Sequence, residues 1–486
     1  MRALQTKAKI ISAALLSLTF AGCAGTQGFT DRNVIESGVI GKSWGSSNYL
    51  ETSVDNPDVN PAVRSFNSFD FVGNTSQAQL AVSFYDHTTS KFIGYGRLYD
   101  PVSGWSPVGP NFAAIASGGG TDSLDFAAIA AQPGGLFSAF FMSSATANTT
   151  PTNFSFSNYA GTWDSNLPSN TGLTPLPFDG VNFNTTVQSP MAAAYDKVGR
   201  AYAIFRDTSN NVRMVRLSRA SGVTPSATIL SSAPTPSQQM VLTFDGVSML
   251  CGFFLAPVSS VLQAEATCLN TNSNVFGTRT PLSSSASSSI AAATDGNGKI
   301  VVVFVQQGNV YATFGTAGSF SAATQLNSTG LPPIDDATNT SVGVAYLGNG
   351  SYLATWLGGS GTLGQVYSST YTTFSGWQAP LGATFGYDNQ ASYAFSSLST
   401  YGNGNFNAGI AVRYNDGSHL FELVARYQTN VGWLPSSIVG NGCTVSTTSP
   451  CNHRSIGVIF PSGNAAVVFP DQDPSGTFRV AGVEFK

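Results

Sequence analysis

One pattern of apolar and polar positions recurs along this chain. A short run of consecutive apolar residues ending in an aromatic follows a turn rich in Gly, Asp or Asn, and a polar turn comes after it. The runs lie at residues 81–86, 138–141, 202–207, 251–254, 301–304, 353–356, 411–416 and 466–471, with aromatic anchors Phe84, Phe141, Phe205, Phe254, Phe304, Trp356, Tyr414 and Phe469. The seven intervals from Phe84 to Phe469 average 55 residues. Turns such as 196–199, 295–298, 348–350 and 461–463 are hairpin turns, because Gly and Asn accept positive φ. A further strand follows each run, as at 212–217, 310–314 and 420–427. Four blocks then close on a tryptophan, Trp105, Trp163, Trp377 or Trp433, 19 to 22 residues after the anchor.

Each block therefore predicts a meander of about four short antiparallel strands, A to D. The period and the scarcity of helical pattern predict an all-β chain, a single β-propeller. Apolar residues at consecutive positions, as at 300–304, fit a sheet covered on both faces, which radial stacking of blades produces. Eight blades are expected, or seven if block 2, with its insert around Asn148, is not a full blade. The chain ends 17 residues after Phe469, before a strand D can form. Trp44 and the residues after it are expected to supply that strand from the N-terminal side, closing the ring and protecting its edge.

Composition changes the picture in two ways. Hydrophobic residues make up 42 % and aromatics 12 %, enough for a core, while charged residues are only 9 % against about 25 % in an average soluble protein. A net charge of −4 supplies no basic footprint for nucleic acid. No nucleic-acid partner and no cofactor are expected.

The N-terminus carries an address. Arg2, Lys7 and Lys9 precede an apolar stretch at 10–20, too short to span a bilayer, and then Phe20, Ala21, Gly22 and Cys23. This order resembles the bacterial lipobox, with Phe20 where Leu or Val is usual. The resemblance implies a signal peptide over 1–22, acylation of Cys23, a short tether over 23–35 and a propeller over 36–486. With Ala24 after the cysteine it implies an outer-membrane lipoprotein facing the periplasm or the cell surface. The remaining cysteines, Cys251, Cys268, Cys443 and Cys451, are even in number, which in an oxidising compartment suggests two disulfides. Of three pairings the two local ones fit the register: Cys251 with Cys268 across a B–C hairpin, and Cys443 with Cys451 around the loop between blocks 7 and 8. With no CxxC pair and three histidines, no metal site is expected.

Strands B and D run the same way, so the B–C and D–A loops share one face, where a ligand is expected. Asp86, Asp207, Asp416 and Asp471 stand at equivalent points after their anchors, with Arg206 and Arg413 beside two of them and His453 and Arg454 in the loop near Cys451. These carboxylates and arginines suit sugar hydroxyls or a cation; at any one position the commoner role of such an Asp is to start a turn by bonding its own downstream backbone. The stretch from Asp295 lacks the remaining oxygen ligands of a calcium loop and is expected to be a hairpin turn.

Two families share features with these blocks. Asp100 to Trp105 resembles a degraded sialidase Asp-box, without that motif's spacing. No arginine triad or Tyr/Glu pair carries over, so sialidase activity is not implied. Block 7 is similar to a fucose-lectin blade, with Arg413 on strand B, Glu422 on strand C and Trp433 beyond. The expectation is a non-catalytic module that binds a glycan or protein ligand from the outer membrane. A glycoside-active propeller enzyme, with two carboxylates near the axis, and a scaffold subunit of an envelope complex, with an exposed apolar patch, are the alternatives.

Overall fold

The computed structural model describes residues 43–50, 64–74, 76–86, 91–106, 113–114, 123–132, 136–144, 153–159, 191–206, 211–217, 227–231, 239–327, 341–358, 365–383, 394–415, 418–444, 454–474, 476 and 478–486. They form strands and turns, with no helix among them. The strands make eight sheets, each an antiparallel meander. Seven have four or more strands; the second has three described strands, Ser123–Gln132, Leu136–Ser144 and Asn153–Tyr159. Among the described residues the ring thus holds seven blades of four or more strands, and block 2 shows three. Its Trp163 and the insert at Asn148 lie outside the described residues.

The innermost strands, A, are Arg64–Gly73, Ser123–Gln132, Met191–Tyr195, Met240–Phe244, Ser287–Thr294, Val342–Gly348, Ala394–Gly402 and Ile456–Ile459. Each packs against strand A of the next sheet, and the eighth packs against the first. The B strands sit behind them, covered on both faces. In blade 5, Ile300 through Val305 are all buried, and in blade 4 the same holds from Met249 to Ala256. Complete burial of one Val or Phe side chain contributes about 1.5–3 kcal/mol.

The N-terminal segment closes the ring as expected. Asn48–Tyr49 pairs antiparallel with Phe478–Phe485, and Trp44 bridges to Phe485. The backbone amides of Ser43, Gly45 and Leu50 donate to the carbonyls of Lys486, Glu484 and Val480. This makes the sheet order of blade 8 complete, with one strand from one end of the described chain and three from the other.

Neighbouring A–B hairpins touch backbone to backbone. Gly298 N donates to Asp245 O (2.7 Å). Gly246 holds φ +87°, and a Cβ there would lie 1.9 Å from Gly296 O. Only glycine serves both the turn and the approach. Asp196, Asp245 and Asp295 each accept amides two to four residues downstream, so Asp295 is a turn residue, as its sequence predicts. Asp100 does the same for Val102 and Ser103, and these bonds hold its carboxyl below the usual range. The Asp-box-like stretch is thus a C–D turn, with Trp105 packed on Tyr99 and Phe71.

Candidate functional site

Two polar clusters interrupt the apolar packing. The first lies between blades 7 and 8, near the B–C and D–A loops. Arg413 is near the end of strand B of blade 7 (Asn407–Asn415), and Glu422 near the start of strand C (His419–Gln428). They are register partners. Their side chains share the sheet face with Ala411 and Val424, which pack on blade 8. Arg413 Nη2 lies 3.4 Å from Glu422 Oε2 and 3.5 Å from Ser455 Oγ, at the entry to blade 8. Asp471, near the end of strand B of blade 8 (Ala465–Gln472), adds a second carboxylate to the field at Arg413. Arg413, Glu422, Ser455 and Asp471 are all at most 3 % exposed.

The electrostatics follow from that burial. Desolvation pushes the Glu422 carboxyl up, and Arg413 pulls it back in part. Burial likewise lowers the Arg413 guanidinium, against the pull of Glu422. Three polar atoms of the pair, Arg413 Nε and Nη1 and Glu422 Oε1, have no hydrogen-bond partner among the described residues. A buried, unpaired polar atom costs about 1–3 kcal/mol, more when charged. The pair therefore carries unpartnered donors and an unpartnered acceptor beneath the surface of this face.

Asp471 does not simply start a turn. Its carboxylate accepts the amides of Asn441 (3.0 Å) and Gly442 (2.9 Å) on the outer strand of blade 7 (Ser437–Thr444), clamping two blades together. Burial still raises its carboxyl above the usual range. Trp433 departs from the fucose-lectin arrangement. It packs with Val412 and Leu423, on the opposite sheet face from Arg413 and Glu422, and its Nε1 donates to Ser368 Oγ of blade 6 (3.1 Å). Strand pleat puts residues of opposite parity on opposite faces, so Arg413, Glu422 and Trp433 do not converge.

The second cluster lies in the central channel. A cavity of about 260 Å³ is ringed by A-strand side chains from all eight sheets, mostly apolar. Asp70 and Arg454 are its charged members. Asp70 accepts the Phe71 amide (2.9 Å) and, across the first blade boundary, the Ile129 amide (2.7 Å). Burial raises its carboxyl despite these bonds and the charge of Arg454. Burial lowers the Arg454 guanidinium, against the charge of Asp70. Arg454 Nε has no partner among the described residues. Neither residue stood out as a channel group in the sequence; the signal for Asp70 was a lone carboxylate between Phe69 and Phe71.

Among the expected site residues, the structure brings Arg413 and Asp471 together. Asp86 and Arg206 close the B strands Ala78–Asp86 and Ala201–Arg206, and their side chains are not among the described ones. Asp207, Asp416, His453, Cys451 and Cys23 lie outside the described residues. Cys251 and Cys268 are disulfide-bonded across register-paired strands, with a Cα separation of 4.0 Å. Cys443 is disulfide-bonded as well.

No protein-family model matches the chain. No curated protein matches it. The chain is similar to the solved Dos1 propeller at 10 % identity and a TM-score of 0.48, covering 92 % of this chain and 96 % of that one. It is similar to a mutant of the Aleuria aurantia lectin in complex with Fucα1-6GlcNAc (13 % identity, TM-score 0.37, 67 % and 96 % covered). A protein of unknown function from Dyadobacter fermentans is a third (11 % identity, TM-score 0.41, 61 % and 94 % covered). The chain is thus a β-propeller by its own strand order, and these likenesses concern shape.

Proposed function

We propose that this protein is a non-catalytic binding module, held at the outer membrane by acyl chains on Cys23, and that its ligand is a glycan. The observation that supports this reading is the Arg413–Glu422 pair. Its unpartnered guanidinium donors and carboxylate acceptor are buried between blades 7 and 8, so sugar hydroxyls, each of which both donates and accepts, reach them only where the neighbouring B–C and D–A loops part. Ser455 and Asp471 extend the polar edge on the blade 8 side.

The test is a broad glycan array probed with the full chain and with an Arg413→Met/Glu422→Leu double variant. Removing both partners leaves neither half of the pair stranded, and Asp471 keeps its Asn441 and Gly442 amides, so the variant keeps its fold. The expected result is a defined set of bound glycans and a loss of about 100-fold or more in the variant, as two charge-assisted hydrogen bonds disappear. No glycan bound by the parent chain, or equal binding by a variant with an unchanged melting curve, overturns the reading.

A further inference from the structure

The opposite face of the ring, built from the A–B and C–D hairpins, has a chemistry of its own. Eight large apolar side chains are exposed among the described residues. Six of them occupy the tips of these hairpins: Val102, Val198, Val247, Val275, Phe374 and Phe406. They come from blades 1, 3, 4, 6 and 7 and so encircle the face. Phe374 is fully exposed and Val102 is 88 % exposed.

Turn geometry does not ask for these residues. Phe406 holds φ 61°, a left-handed conformation that suits Gly or Asn and is rare for a bulky side chain. Its amide is held by Leu347 O, and its carbonyl accepts the Thr429 amide. The backbone is fixed there while an aromatic ring stays outside the core.

The chain also enters the ring at this face. Ser43, the first described residue, is hydrogen-bonded in both directions to Lys486, at the end of strand C of blade 8 (Phe478–Phe485). That end belongs to the hairpin-tip face: Lys486 Nζ reaches Gly104 in the C–D hairpin of blade 1. Cys23 stands twenty positions upstream of Ser43. An extended tether of that length spans at most about 70 Å, and the described chain begins at this rim, at Ser43.

We infer that the hairpin-tip face rests on the lipid surface to which Cys23 is attached, with its apolar tips in the interfacial zone and the B–C/D–A face directed away from the membrane. Single side chains spaced around a ring suit a lipid interface, whereas a protein interface needs one contiguous patch. The inference rests on the acyl-anchor part of the proposed function and is independent of the glycan part.

The test uses the full acylated chain reconstituted in phosphatidylethanolamine/phosphatidylglycerol vesicles containing doxyl-labelled lipid. A bimane label is placed at Phe374→Cys, at Val102→Cys or, as the control, at Val261→Cys. Val261 follows the B–C turn of blade 4, on the other face, and is also exposed. Loss of most bimane emission at the two tips, with none at Val261, is the expected result. Equal quenching at all three positions, or none at the tips, overturns the inference. So does shielding of the tips only after envelope proteins are added, which assigns the face to a protein partner. The mass of the N-terminal peptide separates the two proposals. An unmodified Cys23 removes the anchor and this inference together, whereas an acylated Cys23 with unquenched tips removes the inference alone.

Discussion

Replacing Leu50 with Ala probes ring closure where it is thinnest. The closing segment pairs through Asn48 and Tyr49, the Trp44 bridge and a few flanking backbone bonds. Leu50 is its one buried side chain, with 0 % exposure, in the core shared by blades 8, 1 and 2. It lies on Gly482, where a Cβ would stand 2.8 Å from Leu50 Cδ1. Arg97 Nη1 of blade 1 donates to Leu50 O (2.7 Å), so the backbone keeps an anchor when the side chain is cut back. Fully buried Leu→Ala changes cost about 3–5 kcal/mol; with that anchor retained we take the lower end, about 3 kcal/mol. That raises the opening equilibrium of the clasp by roughly 100-fold. Hydrogen exchange read by mass spectrometry on peptides covering 43–50 and 478–485 checks this. Both should exchange roughly 100-fold faster in Leu50→Ala, while the B strand Lys299–Gln306 of blade 5 keeps its protection. Unchanged protection at 478–485 would falsify the view that this segment holds the last blade shut.

Three further outcomes are expected. Replacing Cys251 and Cys268 with Ala removes a crosslink across a separation of 17 residues; the chain-entropy relation puts the loss at about 3 kcal/mol, readable as a lower urea midpoint that matches reduced parent protein. Arg413→Met alone strands a buried carboxylate and should cost about 3–5 kcal/mol, whereas Arg413→Met/Glu422→Leu should recover most of it; a double-mutant cycle with no coupling contradicts the pairing. Asp70 has its carboxyl raised by burial, so between the ordinary carboxylate range and that raised value the folded chain holds a proton the unfolded chain has lost. Stability from this group therefore falls as pH rises through the window, and Asp70→Asn should flatten that slope in urea midpoints measured from pH 4 to 7; an unaltered slope refutes the assignment.

The ring was legible in the sequence because its signals are local. Each B strand announces itself by consecutive apolar residues, each hairpin by Gly, Asp or Asn, and the closing segment by Trp44, which stands outside the eight blocks. The Cys251–Cys268 pairing was legible for the same reason, since both lie on one hairpin. The polar clusters were not. Ser455 meets Arg413 across a blade boundary, 42 residues away, and Asp70 meets Ile129 over 59 residues. Which blade faces touch is set by ring geometry, and no short-range pattern encodes it. Trp433 shows the limit from the other side. Its spacing resembled a lectin blade, yet strand pleat sends it to blade 6.

The clasp also has a mechanical meaning. The segment from Ser43 to Leu50 runs antiparallel to the last strand, with amides of Ser43, Gly45 and Leu50 bonded along it. A pull on the chain at Ser43, directed away from the hairpin-tip rim, acts along that strand. It loads these bonds together, in shear, rather than peeling them one at a time. A propeller leashed at this end and tugged by whatever it holds on the far face would carry the load through its own closure, with Leu50 and Trp44 as the pins.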